Sequence, residues 1–326
     1  MSKVLITTVP FGDKNRLPLE MLEDAGIDYL INPFNTKLSE DQLIELVSDV
    51  DVIVAGTEPI TARVMDQASN LKMISRVGIG LDSVDLMAAR ERGIHVSHTA
   101  DAPAPAVAEF TLGLMLSLLR SVHVSNTRMH NGHWERIFGR RLAEVTIGII
   151  GVGRIGSRVL NRTKGFGTPR ILVNDVMPNL DLDREFKLEW TSKEKIYHEA
   201  DIISLHLPLT KKTHNMISKK HLLSMKRDAI IINTARGGII NEMDLYEVMK
   251  SGHLSGAAID VFDQEPYDGP IKDIERCILT SHMGSMSIDC RVRMEIEATE
   301  EAIYFLSGRA LKGSVPESEY LIQGEN

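Results

Sequence analysis

Three glycines, Gly151, Gly153 and Gly156, stand in the run GVGRIG between an apolar stretch, TIGII, and a helix-like one, RIGSRVLNRT. A lone G-x-G-x-x-G is a weak signal. The strand before it and the helix after it supply the mechanism. Gly151 allows a tight turn, Gly153 lets the backbone approach a pyrophosphate, and Gly156 lets the helix pack closely on the sheet. The helix start at Arg154 and Ile155 then offers free N–H groups and a positive dipole end to the phosphates. The next apolar run ends in VND. That places Asp175 about 20 residues past the glycines, where a carboxylate accepts hydrogen bonds from ribose hydroxyls and repels the extra phosphate of NADP. These residues point to NAD as the cofactor.

A second candidate is a single histidine in LTSHMGSM (279–286), directly after the apolar run CIL. No acidic partner or metal ligand lies beside His282 in sequence. On these residues alone it reads as a satisfied core histidine at a strand end at least as readily as a proton-transfer group. The chain has two cysteines, Cys277 and Cys290, without metal-ligand spacing and too few for a disulfide framework. No metal is expected, and a reducing, cytoplasmic setting is.

The elements that must position these residues alternate between strand and helix. KVLIT (3–7), DVIVAG (51–56), MISRVG (73–78) and IHVSHT (94–99) read as strands. Between them, LPLEMLEDAG (17–26) ends at Gly26, SEDQLIELVSD (39–49) starts on an N-capping Ser39, and VDLMAARERG (84–93) closes on Gly93. The pattern implies a parallel sheet covered on both faces. A long helix is expected from about Ala106 to near His130, apolar around much of its circumference and so buried on more than one side. A second series follows the glycine loop, with strands at ILVND (171–175), IISLHLP (202–208), AIIINTA (229–235), GAAIDVF (256–262) and ILTSH (278–282). A charged helix over about 288–307 ends it.

Bulk properties narrow the partners. The 326 residues are enough for two domains, with 43% hydrophobic and 25% charged residues. A formal net charge of −8 leaves no basic footprint for nucleic acid. The longest apolar run, FTLGLMLSLL (110–119), is too short for a bilayer, and the N-terminus lacks the layout of a signal peptide. No membrane partner is expected.

At IINTARGGIINEMDLYEVMKSGHLSGAAIDVFDQEP (231–266) the chain resembles the D-isomer-specific 2-hydroxyacid dehydrogenases, and most of all their phosphoglycerate dehydrogenase-like branch. SRVGIGLDSVDLMAARERGIHV (75–96), VAEFTLGLML (107–116), GHW (132–134), HLPLTKKTHNMI (206–217) and LTSHMGS (279–285) extend the resemblance in order over roughly residues 50–310. It implies an α/β fold of two doubly wound parallel-sheet domains, a Rossmann NAD-binding domain (102–292) inserted into a flavodoxin-like substrate domain (1–101 plus 293–326). It also implies a homodimer and a small 2-hydroxy or 2-keto acid as partner. It assigns the substrate carboxylate to Arg236, whose planar fork suits it and never deprotonates. It assigns acid–base work to His282 with Glu265 beside it, a carboxylate favouring the imidazolium. All three residues follow strands at the sheet edge where open α/β sheets hold their ligands.

The resemblance further implies cofactor contacts at Arg154, Ile155, His206, Leu207, Pro208, Thr213, Thr234, Ala235, Asp260 and Gly284. Asp260 would sit near the nicotinamide carboxamide or cap the turn that follows it. The backbone N–H groups of Val77, Gly78 and Ile79 would form an anion nest for the substrate carboxylate. Arg76 would face a phosphate or phosphonate of the substrate or make a salt bridge. An NAD(H)-sensing, corepressor-like protein on the same fold is the alternative. The chain departs from the family at Ser281, where proline is usual, and at Ser285 and Met286, and these changes bear on which side chain the substrate carries. Glu265 replaces the glutamine of formate dehydrogenases, so formate is disfavoured. The chain leaves no room after its last long helix for an added regulatory domain.

Overall fold

The computed structural model describes residues 2–167 and 169–324. The chain divides into two compact units, residues 1–103 with 286–326, and residues 104–285. The first holds five parallel strands, β1 (Lys3–Ile6), β2 (Asp28–Ile31), β3 (Val52–Ala55), β4 (Met73–Arg76) and β5 (His95–His98), in the order β2-β1-β3-β4-β5. This is the flavodoxin-like order, whose switch point lies between β1 and β3.

The second unit holds β6 (Thr146–Ile150), β7 (Arg170–Asn174), β8 (Leu188–Trp190), β9 (Ile202–Leu205), β10 (Ile230–Asn233), β11 (Gly256–Ile259) and β12 (Cys277–Leu279). Their order is β12-β11-β10-β9-β6-β7-β8, all parallel, which is the doubly wound dinucleotide-binding order. Both faces of this sheet are buried. Ile231 packs into one apolar layer, Ile230 and Ile232 into the other. This is why β10 reads as an unbroken apolar run rather than an alternating one. Each such isoleucine, fully buried, contributes about 1.5–3 kcal/mol.

Local signals behave as physics requires where they are complete. Ser39 caps the helix Glu40–Leu46 in a reciprocal capping box with Gln42. Gly26 and Gly93 end their helices with φ of +64° and +68°.

Three expectations change. The long helix is two, Ala104–Leu119 and Val122–His130, bent by 65°. The break has a cause in the following segment. The Leu119 carbonyl accepts the Arg140 N–H at 3.1 Å, and Ser121 adopts a left-handed φ of +50°. The return to the first unit falls at Met286 instead of about 293. The start of the helix Ile288–Leu306 is already tied down there, Arg291 donating to Thr8 Oγ1 at 2.9 Å and to the Pro10 carbonyl. The edge strands β2 and β8 were not expected, and neither were the helices Ala62–Gln67 and Glu317–Gly324. Among the described residues no single helix is long and apolar enough to cross a membrane. The helix Ala104–Leu119 instead buries Ala108, Leu114, Met115, Leu118 and Leu119 in the second unit's core.

Candidate active site

The glycine loop leaves β6 and enters the helix Arg154–Thr163. Gly151 has φ +93°, and a Cβ there would lie 2.2 Å from the His206 carbonyl oxygen. A Cβ on Gly156 would lie 2.1 Å from the Gly151 carbonyl oxygen. Both glycines are required by the protein itself. Gly153 differs: its φ is −77°, and a Cβ would meet nothing within 4 Å. The space above it, at the start of a helix whose first N–H groups lack intrahelical acceptors, fits a bound phosphate group. Asp175 Oδ2 accepts the Val152 N–H at 2.6 Å and Oδ1 the Met177 N–H at 2.9 Å. The acid at the end of β7 therefore also clamps the glycine loop.

His206 follows β9 beneath this loop. Ser204 Oγ lies 3.0 Å from its Nε2, while its buried Nδ1 has no partner. Burial pushes the imidazole down to about 4, so it is neutral at ordinary pH. Leu207 and Pro208 lead into a turn closed by Thr213, which donates to the Pro208 carbonyl at 2.7 Å. Thr234 Oγ1 pairs with Thr111 Oγ1 at 2.8 Å. Asn233 Oδ1 accepts the Ala235 N–H at 3.1 Å, and its Nδ2 donates to the Arg236 carbonyl at 2.8 Å.

The loops after β10, β11 and β12 converge. A Cβ on Gly237 would lie 2.0 Å from the Phe262 carbonyl oxygen, so the NTARGG turn passes directly against the DVFDQEP turn. Beyond β11, Glu265 places its two carboxylate oxygens 3.1 and 3.0 Å from His282 Nδ1. Glu265 Oε1 also accepts the Phe262 N–H at 3.2 Å. The imidazole is 43% exposed and its carboxylate partner 31%, so the pair is open to a ligand. Arg236, on the neighbouring turn, donates to the Ala235 carbonyl at 2.7 Å.

Asp260 is nearly fully buried and holds the histidine loop from beneath. Its Oδ1 accepts from Thr280 Oγ1 at 2.6 Å and the Met283 N–H at 2.9 Å, and its Oδ2 accepts the Gly284 N–H at 2.9 Å. Its carbonyl accepts the His282 N–H at 2.8 Å, and His282 itself takes φ +52°. Of the two readings of Asp260, turn-capping is the one its carboxylate performs. Thr280 was missed in the sequence, where its only signal is a hydroxyl one residue past a strand.

The RVGIG loop belongs to the first unit, and here the anion-nest expectation needs correcting. The Val77 N–H donates to the Ala55 carbonyl at 2.9 Å. The Gly78 N–H donates to Thr99 Oγ1 at 2.8 Å and the Arg76 carbonyl at 3.1 Å. Two of the three amides are thus engaged within the protein, because the loop turns back onto its neighbouring strands. The carbonyl of Ile79 faces His98 Nδ1 at 3.1 Å. Arg76 is buried, folds back on its own loop and donates to the Val77 carbonyl.

A family model for the NAD-binding domain of D-isomer-specific 2-hydroxyacid dehydrogenases matches residues 112–284. The chain belongs to this family. It is 37% identical to a hydroxypyruvate reductase of Thermotoga maritima, over 81% of this chain and 87% of that protein. It is 37% identical to a D-3-phosphoglycerate dehydrogenase of Methanocaldococcus jannaschii, over 87% of this chain but 54% of that protein. The crystal structure of D-lactate dehydrogenase from Aquifex aeolicus, complexed with NAD and lactic acid, superposes with a TM-score of 0.83 at 27% identity, covering 94% of this chain and 96% of that one. As a D-2-hydroxyacid dehydrogenase the protein is an NAD-dependent oxidoreductase acting on small hydroxy or keto acids. The open space at Gly153 and the acid at Asp175 fit that cofactor.

Proposed function

We propose that this dehydrogenase interconverts a small, unphosphorylated 2-keto acid and its D-2-hydroxy acid, with Arg236, Glu265 and His282 doing the chemistry. NADH, when bound, supplies the hydride. His282 holds the proton that the substrate carbonyl oxygen takes up. Its Nδ1 faces Glu265, which leaves Nε2 for the substrate and favours the imidazolium before transfer. In the reverse direction the neutral ring accepts the hydroxyl proton. Arg236 grips the substrate carboxylate through its fork and polarises the carbonyl oxygen. The observation that carries this reading is the exposed His282–Glu265 pair at 3.0 Å, on the sheet edge that also carries Arg236.

The unphosphorylated choice rests on Arg76. Its guanidinium is buried and engaged by its own loop, a poor starting point for gripping a phosphate. A homodimer is part of the same reading: Trp134 and Phe138, 81% and 99% exposed, lie beside the exposed Val122 and Met129. A second copy would cover such a patch. So is a reducing, cytoplasmic setting. Both thiols are free, and burial pushes Cys277 up to about 12 and Cys290 up to about 11, so neither ionises near neutral pH.

The test is NADH oxidation with glyoxylate, hydroxypyruvate, phosphohydroxypyruvate and a phosphonate-bearing keto acid. The expected outcome is turnover on the unphosphorylated acids, lowered by roughly 10²–10⁴-fold in His282→Ala with NADH binding retained. Tight NADH binding with no turnover on any acid would instead mean a sensor. A preference for the phosphorylated acids that disappears in Arg76→Ala would overturn the unphosphorylated assignment.

A further inference from the structure

The loop that carries Glu265 is held by a residue that the reaction itself does not use. Residues 262–267 form a closed turn. The Phe262 and Tyr267 rings stack with centroids 4.2 Å apart and planes 19° off parallel. The Tyr267 hydroxyl oxygen accepts the Ile271 N–H at 3.2 Å. Within the turn two consecutive backbone amides do different jobs. The Phe262 N–H donates to Glu265 Oε1 at 3.2 Å. The next one, of Asp263, donates out of the turn to Glu242 Oε1 at 2.8 Å. Glu242 stands in the first turn of the helix Glu242–Lys250, after the N-capping Asn241.

The same Phe262–Asp263 peptide is pressed from the other side by the NTARGG turn. A Cβ on Gly237 would come within 2.6 Å of the Asp263 nitrogen, and one on Gly238 within 2.7 Å of Asp263 Oδ1. The peptide is therefore fixed between a glycine surface and one carboxylate. Its orientation decides where the adjacent Phe262 N–H points, and that N–H helps hold the Glu265 carboxylate against His282.

We infer that Glu242 is a positioning residue for the Glu265–His282 pair, acting through the Asp263 amide and touching neither substrate nor imidazole. What the arrangement needs from Glu242 is an acceptor oxygen at that distance, and a charge is dispensable. Burial, with the Asp263 carboxylate adding to it, raises the Glu242 pKa, which fits an acceptor that functions without full ionisation. This inference rests on the acid–base role proposed for Glu265 and His282.

The experiment is a double-mutant cycle on the full chain, reading kcat for keto acid reduction and NADH affinity by titration. Glu242→Ala is expected to lower kcat roughly ten- to a hundredfold, as a small displacement of a reacting group does, with NADH affinity unchanged. Glu242→Gln, which keeps the acceptor oxygen, is expected to stay within about threefold of the unaltered protein. In a Glu265→Gln background, Glu242→Ala should cost less than about twofold, because the group it positions is already gone. Equal losses in both backgrounds, or an undiminished kcat in Glu242→Ala, overturn the inference. So does a Glu242→Gln as impaired as the alanine variant. If Glu242→Ala does not fold, Glu242→Ser, polar but too short to reach the amide, gives the same cycle. Full activity in Glu265→Gln alone would overturn the acid–base reading and not merely the inference built on it.

Discussion

The chain carries two glycine-containing loops, each leaving the end of a buried parallel strand, and they are built to opposite ends. In RVGIG, after β4, the amides of Val77 and Gly78 already have acceptors in Ala55, Thr99 and Arg76, and the arginine side chain folds back on the loop. In GVGRIG, after β6, Gly153 faces open space at a helix start. Each loop leans on a histidine from a neighbouring strand end, His98 against the Ile79 carbonyl and His206 beneath Gly151. The difference lies in where the hydrogen-bonding capacity goes. One loop uses it to fix its own shape. The other keeps free N–H groups for a ligand. A glycine pattern thus signals a tight backbone path, and only the neighbours decide whether that path is a binding surface.

The largest test separates the glycines of the second loop from each other. Gly151→Ala puts a side chain at φ +93° and 2.2 Å from a backbone carbonyl, which costs about 3 kcal/mol or more in strain and overpacking. Its thermal midpoint should fall by several degrees. Gly153→Ala meets no atom within 4 Å and should leave the midpoint within about 0.5 kcal/mol of the unaltered protein. Its NADH affinity should nevertheless drop roughly ten- to a hundredfold, since the methyl group occupies ligand space. If both variants lose stability equally, or Gly153→Ala binds NADH normally, the contrast between structural and ligand-facing glycines fails.

How far each loop was legible follows from the range of its interactions. The central strands were readable because both their faces are buried, as at Ile202–Leu205. The edge strands Asp28–Ile31 and Leu188–Trp190 pair on one side only, are incompletely buried and left no clear pattern. The helix break at Ser121 was unreadable because the group that takes the Leu119 carbonyl, Arg140, lies in a later segment. The same holds at the site. Gly151, Asp175, Glu265 and His282 stand in motifs whose spacing carries a mechanism. The engagement of the Gly78 amide by Thr99, the clamp of Thr280 on Asp260 and the grip of Glu242 on Asp263 are each made between residues 20 or more positions apart.

The next effect in size sharpens the comparison of the two histidines. His206 is held neutral by burial, with its pKa near 4 against about 6.5 in an unfolded chain. The unfolded state binds the extra proton between those values, so folding stability is fully present above about pH 6.5 and is lost as pH falls toward 4. At pH 5 the loss attributable to this one group is on the order of 2 kcal/mol at most. His206→Asn should therefore lose less stability than the unaltered protein between pH 7.5 and pH 5, measured by denaturant midpoints at both. Parallel losses would mean that the foot of the glycine loop is solvated and that His206 titrates normally.

The smallest test addresses the closed loop. Thr99→Val keeps the side-chain shape but removes the hydroxyl that accepts the Gly78 N–H. That amide retains its contact with the Arg76 carbonyl at 3.1 Å, so the cost should sit near the low end for a buried donor losing a partner, about 1 kcal/mol. If RVGIG is self-satisfied as described, the change appears as a lowered unfolding midpoint with NADH affinity untouched, because the second unit's loop does not depend on it. Thr99→Ser, which restores the acceptor, should recover most of the loss. A valine variant as stable as the unaltered protein would mean that the Gly78 amide does not need Thr99. The sharp division between a loop that serves its own shape and a loop that serves a ligand would then be drawn in the wrong place.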